Sequence, residues 1–156
     1  MRIRRFRPDD ADAIADLFHA SVRQGGLRHY TAEQVAAWSP ARPDPARFVA
    51  KAADRVFLLA EDDDGTLLGY GDLEPDGHID HLFCRPDRIG TGVGHALYGA
   101  IEAAAREAAL PRLYVEASDS ALPLFERHGF RVDSRNDMVL NGVAIHNFRM
   151  SKALQS

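Results

Sequence analysis

The chain has 156 residues, 46 % of them apolar, which suffices for one domain with a real core and falls short of two comfortable ones. A net charge of −4, with 27 % of residues charged, argues against wholesale binding to nucleic acid or to an anionic membrane. Cys84 is the only cysteine and no Cys/His cluster has zinc-site spacing, so neither an internal disulfide nor a metal is expected, and a cytoplasmic location fits best.

The start, MRIRRFRPDD, has arginines without the apolar stretch of a signal peptide. No apolar run approaches the roughly 18 residues of a membrane span. Residues Ile3 to Phe6 read as a first strand. Pro8-Asp9-Asp10 opens a helix carrying Ala13, Ile14, Leu17, Phe18 and Val22 at helical spacing and ending near Gly25-Gly26. Thr31 followed by Gln34 makes a capping box for a short helix with Val35 and Trp38, stopped by Pro40. Asp44-Pro45 starts a third helix with Phe48 inward.

From Val56 the period changes. Strands are expected at Val56 to Glu61, Thr66 to Glu74 and His78 to Cys84, joined by turns at Asp62-Asp63-Asp64-Gly65 and Pro75-Asp76-Gly77. After a glycine loop, Val93, Leu97, Ile101, Ala104 and Ala108 mark a long helix, and Leu113 to Glu116 is a strand returning parallel to its predecessor. Ala121 to Arg127 reads as a helix closed by Gly129. Met138 to Leu140 and Val143 to Met150 form a hairpin around Asn141-Gly142. The class is α+β around one mixed, mostly antiparallel sheet, in a single domain spanning residues 1–156.

The most informative stretch is Arg88-Ile89-Gly90-Thr91-Gly92-Val93-Gly94, between a strand and an amphipathic helix. Glycines let backbone N–H groups converge and the helix start adds positive potential, which suits a pyrophosphate; the same residues also make a simple tight turn. A nucleotide P-loop is excluded, because His95-Ala96 stands where Lys-Ser/Thr is required. A dinucleotide fingerprint starting at Gly90 has His95 in place of its third glycine, although Glu116 lies about 20 residues on, as that motif wants. Arg85 to Ile89 also separates strand from glycines, where a dinucleotide fold turns almost at once.

Together with Leu82-Phe83-Cys84-Arg85-Pro86, Gly92-Val93-Gly94-His95-Ala96-Leu97 and Ala117-Ser118 through Phe125-Glu126-Arg127-His128-Gly129-Phe130, this loop resembles the GNAT superfamily of acyl-CoA-dependent N-acetyltransferases. His29-Tyr30-Thr31-Ala32-Glu33-Gln34 with Trp38, and Asn147-Phe148-Arg149-Met150, are similar to a bacterial branch called YafP-like. The resemblance implies a six- to seven-stranded sheet flanked by helices, with the fourth strand splayed from the fifth. It also implies acetyl-CoA as co-substrate, a small-molecule primary amine as acceptor, direct attack in a ternary complex, and a monomer or homodimer.

On that resemblance, amides of Ile89, Gly90, Thr91, Gly92, Val93, Gly94, His95 and Ala96 bind the pyrophosphate. Ile89 departs from the usual polar residue, and Arg88 can compensate beside it. Unpaired backbone groups near Leu82, Phe83 and Cys84 would hold the pantetheine and steady the oxyanion, with Cys84 a lining residue rather than a nucleophile. Strand alternation places His78, Asp80, Leu82 and Cys84 on one face, and His81 reads as a packed, satisfied histidine. His78 and Asp80 stand where relatives place a base or proton relay. The bland alternatives are solvent exposure for His78 and a loop hydrogen bond for Asp80.

Phe125 stands where many members have a tyrosine that protonates the leaving thiolate, and a phenyl ring donates no proton. Ser118, matching a family asparagine, can help or can cap the next helix. The acceptor pocket is expected from Tyr30, Gln34 and Trp38, with His29, Asn136 and Asn147, although aromatics on a short helix also serve as core or lid. Acidic Asp72 and Glu74 hint at a cationic acceptor. Two competing readings remain: a non-catalytic acyl-CoA-binding or sensing module, and a nucleotide-dependent enzyme.

Overall fold

The computed structural model describes residues 1–154. Strand β1 (Arg2–Arg5) leads into helices α1 (Ala11–Arg23), α2 (Ala32–Trp38) and α3 (Ala46–Ala52). The antiparallel pair β2 (Val56–Glu61) and β3 (Leu67–Leu73) follows, and then β4 (His78–Ile79) and β5 (Leu82–Cys84). Helix α4 (Val93–Glu107), β6 (Arg112–Ala117), α5 (Leu122–Arg127), β7 (Arg131–Leu140) and β8 (Val143–Ala153) complete the order.

The sheet opens into two four-stranded halves, ordered β1-β2-β3-β5 and β4-β6-β8-β7. The first half is antiparallel throughout, and in the second β4 pairs parallel to β6. Both faces are covered, which is why β2 reads as the continuous apolar run Val56-Phe57-Leu58-Leu59-Ala60. Leu58 and Ala60 pack with Leu97 and Ile101 of α4, whereas Phe57 and Leu59 pack with Ile14, Phe18 and Phe48 of α1 and α3. Glycines on β3 let α4 come close: a Cβ at Gly69 would lie 3.1 Å from Leu97 Cδ1, and one at Gly71 2.9 Å from Ile101 Cδ1.

Local signals act as chemistry requires. Thr31 and Gln34 form the reciprocal capping box. The Asp44 carboxylate accepts the Ala46 N–H at 2.9 Å, so α3 starts one residue beyond Pro45. Asn141 and Gly142 both take positive φ, 49° and 80°, and turn β7 into β8. Tyr30 ties distant parts together. Its hydroxyl donates to His146 O on β8 and accepts the Asp119 N–H beyond β6, each at 3.0 Å.

The expected strand His78 to Cys84 is broken in two. Gly69, Tyr70 and Gly71 pair with Cys84, Phe83 and Leu82, but the ladder is interrupted at Asp80 and His81, whose N–H groups both donate to Asp72 Oδ1, at 3.0 and 2.7 Å. This bulge resets the alternation. Ile79, Leu82 and Cys84 pack toward α4, while Phe83 joins the core beneath α1, so His78, Asp80, Leu82 and Cys84 do not share one face.

Candidate active site

The bulge is also where the two halves part. β4 pairs with β6 only through His78 with Tyr114 and Ile79 with Val115. Beyond that point β5 follows β3 and β6 follows β8. His81 O accepts the Asp72 N–H and the Arg85 N–H donates to Leu68 O, so odd-numbered residues of this stretch bond to β3. Leu82 and Cys84 therefore turn their N–H and C=O groups into the gap, and the Phe83 backbone is committed to β3.

Two cavities open on this gap. The smaller, about 240 Å³, is lined by Ile89, Gly90, Gly92, Gly94 and His95 of the glycine loop, together with Cys84, Leu124 and Arg127. Gly90 and Gly92 take φ of 82° and 96°, and an added Cβ at either would meet nothing within 4 Å. The loop thus faces open space with the start of α4 pointing at it. First-turn N–H groups of a helix have no partner inside it, and they converge here. The expected donor Ala96 differs: its N–H is already bonded to Gly92 O at 3.0 Å. The Thr91 hydroxyl is bonded back to Arg88 O, and the Arg88 guanidinium faces Asp62 at 3.5 Å.

The larger cavity, about 520 Å³, has an aromatic and aliphatic wall from Phe18, Tyr30, Trp38, Met138, Leu140 and Ile145, and carries Arg47, Asp80, His81, Glu116, His146 and Asn147. Trp38, Leu82, Phe83, Ser118 and Ala121 line both cavities, so they meet at the parted strands. Phe125, 1 % exposed, closes the larger cavity near this junction and packs edge-on to Tyr98. Ser118 caps the following turn, with Oγ 3.3 Å from the Ala121 N–H. Gln34 lines neither cavity; beyond its cap it donates to Ala144 O at 3.0 Å. His29 lines neither as well, and Asn136 stands behind Asn147, bonded to it at 3.0 Å.

Electrostatics sort the acid–base candidates. Asp80 Oδ2 lies 2.7 Å from Lys51 Nζ and 3.0 Å from Arg55 Nη1. Burial raises its carboxyl, but the Lys51 bond and neighbouring positive charge outweigh this and leave it below the usual range. His78 is clamped between Glu116 (2.9 Å) and Glu74 (2.7 Å). The Glu116 bond above all, opposed by burial and aided by Glu74, lifts it to about 9, so it is cationic at neutral pH. His81, ringed by Phe18, Phe48 and Phe83, bonds Tyr70 Oη through Nδ1 at 3.0 Å. Burial and then the Lys51 charge push it down to about 3. Burial also pushes the Cys84 thiol up to about 11, which suits a lining role. Asp72 is fully buried against Arg55 and the bulge, so it cannot touch an acceptor.

Glu74, His78 and Asp80 gather three possible metal-ligand atoms within 4.8 Å, yet each already has a protein partner in Arg55, Glu116 or Lys51. The pair His146–Asp119 was not legible in the sequence. His146 Nε2 lies 2.9 Å from Asp119 Oδ1, although the two are 27 residues apart and neither sits in a recognisable motif.

A glycine loop at the head of α4 beside parted strands, with a second cavity across the gap, is an arrangement that suits an acyl-carrier-dependent transferase. The GNAT acetyltransferase domain model matches residues 26–152, and the chain belongs to this family and is an acyltransferase. It is 29 % identical over 150 residues to the uncharacterised N-acetyltransferase YafP of Escherichia coli K12, covering 96 % of this chain and 94 % of that protein. A GCN5-related N-acetyltransferase from Rhodopseudomonas palustris is 36 % identical and superposes with a TM-score of 0.89, covering 98 % of this chain and 95 % of that one. The Salmonella typhimurium acetyltransferase yncA, solved with acetyl-CoA, shares the fold at 19 % identity and a TM-score of 0.79, over 100 % and 95 % of the two chains. No helix among the described residues is long and apolar enough to cross a membrane.

Proposed function

We propose that the protein transfers an acetyl group from acetyl-CoA to a primary amine of a small molecule by direct attack in a ternary complex. The single observation that carries this reading is that the two cavities share Trp38, Leu82, Phe83, Ser118 and Ala121 at the parted strands. A thioester laid along β5 would have its pyrophosphate at the glycine loop and its acyl carbon facing the larger cavity. Structures of relatives holding acetyl-CoA or coenzyme A support the choice of carrier.

In this reading the amides of Gly92, Val93, Gly94 and His95 hold the pyrophosphate, and Leu82 and Cys84 pair with the pantetheine as a strand would. An outward N–H of β5 stabilises the oxyanion, a contribution of about 3–4 kcal/mol per donor in comparable sites. Asp80, ionised and facing the cavity, attracts the incoming ammonium. Arg47, exposed on the cavity wall without an ion-pair partner among the described residues, favours an acceptor that also carries an anionic group. Thiol release followed over a panel of primary amines, beside calorimetric titration with acetyl-CoA, tests the proposal. Saturable binding with no amine-dependent release defeats it.

A further inference from the structure

Every acid–base group on the wall of the larger cavity except one is already committed. Asp80 is tied to Lys51 and Arg55, and Glu116 to His78. His81 spends Nδ1 on Tyr70, and its Nε2 lies 3.5 Å from Lys51 Nζ, whose positive charge opposes protonation of the ring. His146 is different. Its Nε2 is bonded to Asp119 Oδ1 at 2.9 Å, and Nδ1 has no protein partner among the described residues.

The ring is fixed by more than this bond. It packs against Tyr30 at 5.7 Å and Phe148 at 5.6 Å between centroids, and the Tyr30 hydroxyl holds both the His146 carbonyl and the Asp119 N–H. Asp119 follows Ser118, one of the residues where the cavities meet, so the pair stands beside the expected thioester. The charged groups around the ring are Asp119 beyond β6, Glu116 on β6, and Asp137 across the β7–β8 ladder, itself paired with Arg135. Helix α2 and the segment before it present uncharged Tyr30 and Trp38. With Nε2 held on the Asp119 carboxylate, Nδ1 is the ring atom left to accept a proton.

Resting on the transfer reading above, we infer that His146, oriented by Asp119, is the proton acceptor for the amine. The ammonium gives one proton to Nδ1, and the freed lone pair forms the C–N bond while the carbonyl electron pair moves to oxygen. Collapse of this intermediate breaks C–S and leaves the electron pair on sulfur. The excess proton on nitrogen then passes to the thiolate, giving amide and thiol, and His146 returns its proton to water. No proton donor in place of Phe125 is required, because the second proton of the amine protonates the sulfur.

The test is a pH–rate profile of amine-dependent thiol release for the wild type, His146→Gln and Asp119→Asn, with acetyl-CoA affinity measured on each. His146→Gln should lower kcat/KM at neutral pH ~100-fold or more, with acetyl-CoA affinity unchanged, and the deficit should narrow as pH approaches the pKa of the amine. Asp119→Asn should lower kcat/KM less, ~10-fold, with acetyl-CoA affinity unchanged, and Asp119→Glu should recover part of that loss. A His146→Gln enzyme within threefold of wild type, a deficit constant across pH, or an Asp119→Asn enzyme as fast as wild type overturns the inference. A wild type that binds acetyl-CoA but releases no thiol with any amine overturns the transfer reading itself, and this inference with it.

Discussion

Removing the Asp72 side chain should destabilise the protein out of proportion to its size. The carboxylate is fully buried, accepts the N–H groups of Asp80 and His81 at 3.0 and 2.7 Å, and pairs with Arg55 at 3.1 Å. Asp72→Ala orphans two backbone donors, each costing about 1–3 kcal/mol when buried without a partner. Arg55 keeps Asp54 and Asp80, so its loss is partial. The expected total is ~3–5 kcal/mol. Asp72→Asn retains an oxygen for both donors but turns an amide toward the guanidinium, and should cost ~1–3 kcal/mol. Urea unfolding at 25 °C measures both variants. A loss under ~1 kcal/mol for Asp72→Ala, or equal losses for the two, would refute the claim that this carboxylate holds the bulge.

Gly92→Asp places a carboxylate where pyrophosphate is proposed to sit and should abolish measurable acetyl-CoA binding. The left-handed φ of 96° adds ~1–2 kcal/mol of strain, and the fold should survive by circular dichroism; unchanged affinity in the folded variant defeats the assignment. The His78 pKa is raised from 6.5 to about 9, so its stabilising contribution is complete below pH 6.5 and is lost as pH rises through 9. After discounting for the 40 % exposure of Glu116, wild type should lose ~1–2 kcal/mol more than His78→Gln between pH 6 and 10 in denaturant titrations; parallel curves contradict the clamp. Phe125→Tyr adds a donor near the junction but should leave kcat within about twofold, because the amine itself protonates the sulfur; a ~10-fold rise contradicts that step. Arg47→Gln should raise KM ~10-fold for amines bearing a carboxylate and leave their decarboxylated counterparts unaffected; equal effects on both reject an anion subsite.

Much of the fold is written in local chemistry. The capping box at Thr31, the Asn141-Gly142 turn and the glycine loop act over a few residues, so residue type alone locates them. β7 was seen only at Met138 to Leu140. Its earlier residues, Arg131 to Arg135, are all exposed, three of the five charged, and become a strand only because β8 pairs with them. The bulge at Asp80 was invisible for a related reason. It is made by the side chain of Asp72, and without it strict alternation put His78, Asp80, Leu82 and Cys84 together. The glycine loop at the head of α4 was legible because it is a contiguous motif. The pairing of His146 with Asp119 was not, since the two meet only through tertiary packing.

The Tyr30 bridge bears on how the protein is assembled. Three bonds join the α2 region to the last hairpin: Tyr30 to His146 O, Gln34 to Ala144 O and Asn141 to Ala37 O, across 116, 110 and 104 residues of chain. Contacts so distant along the chain close late and slowly. A polypeptide emerging from the ribosome can complete its glycine loop well before β8 exists, whereas the second chamber waits for that final strand to dock. Until then β6 also lacks its β8 partner, so the gap beside β5 and the larger cavity mature together.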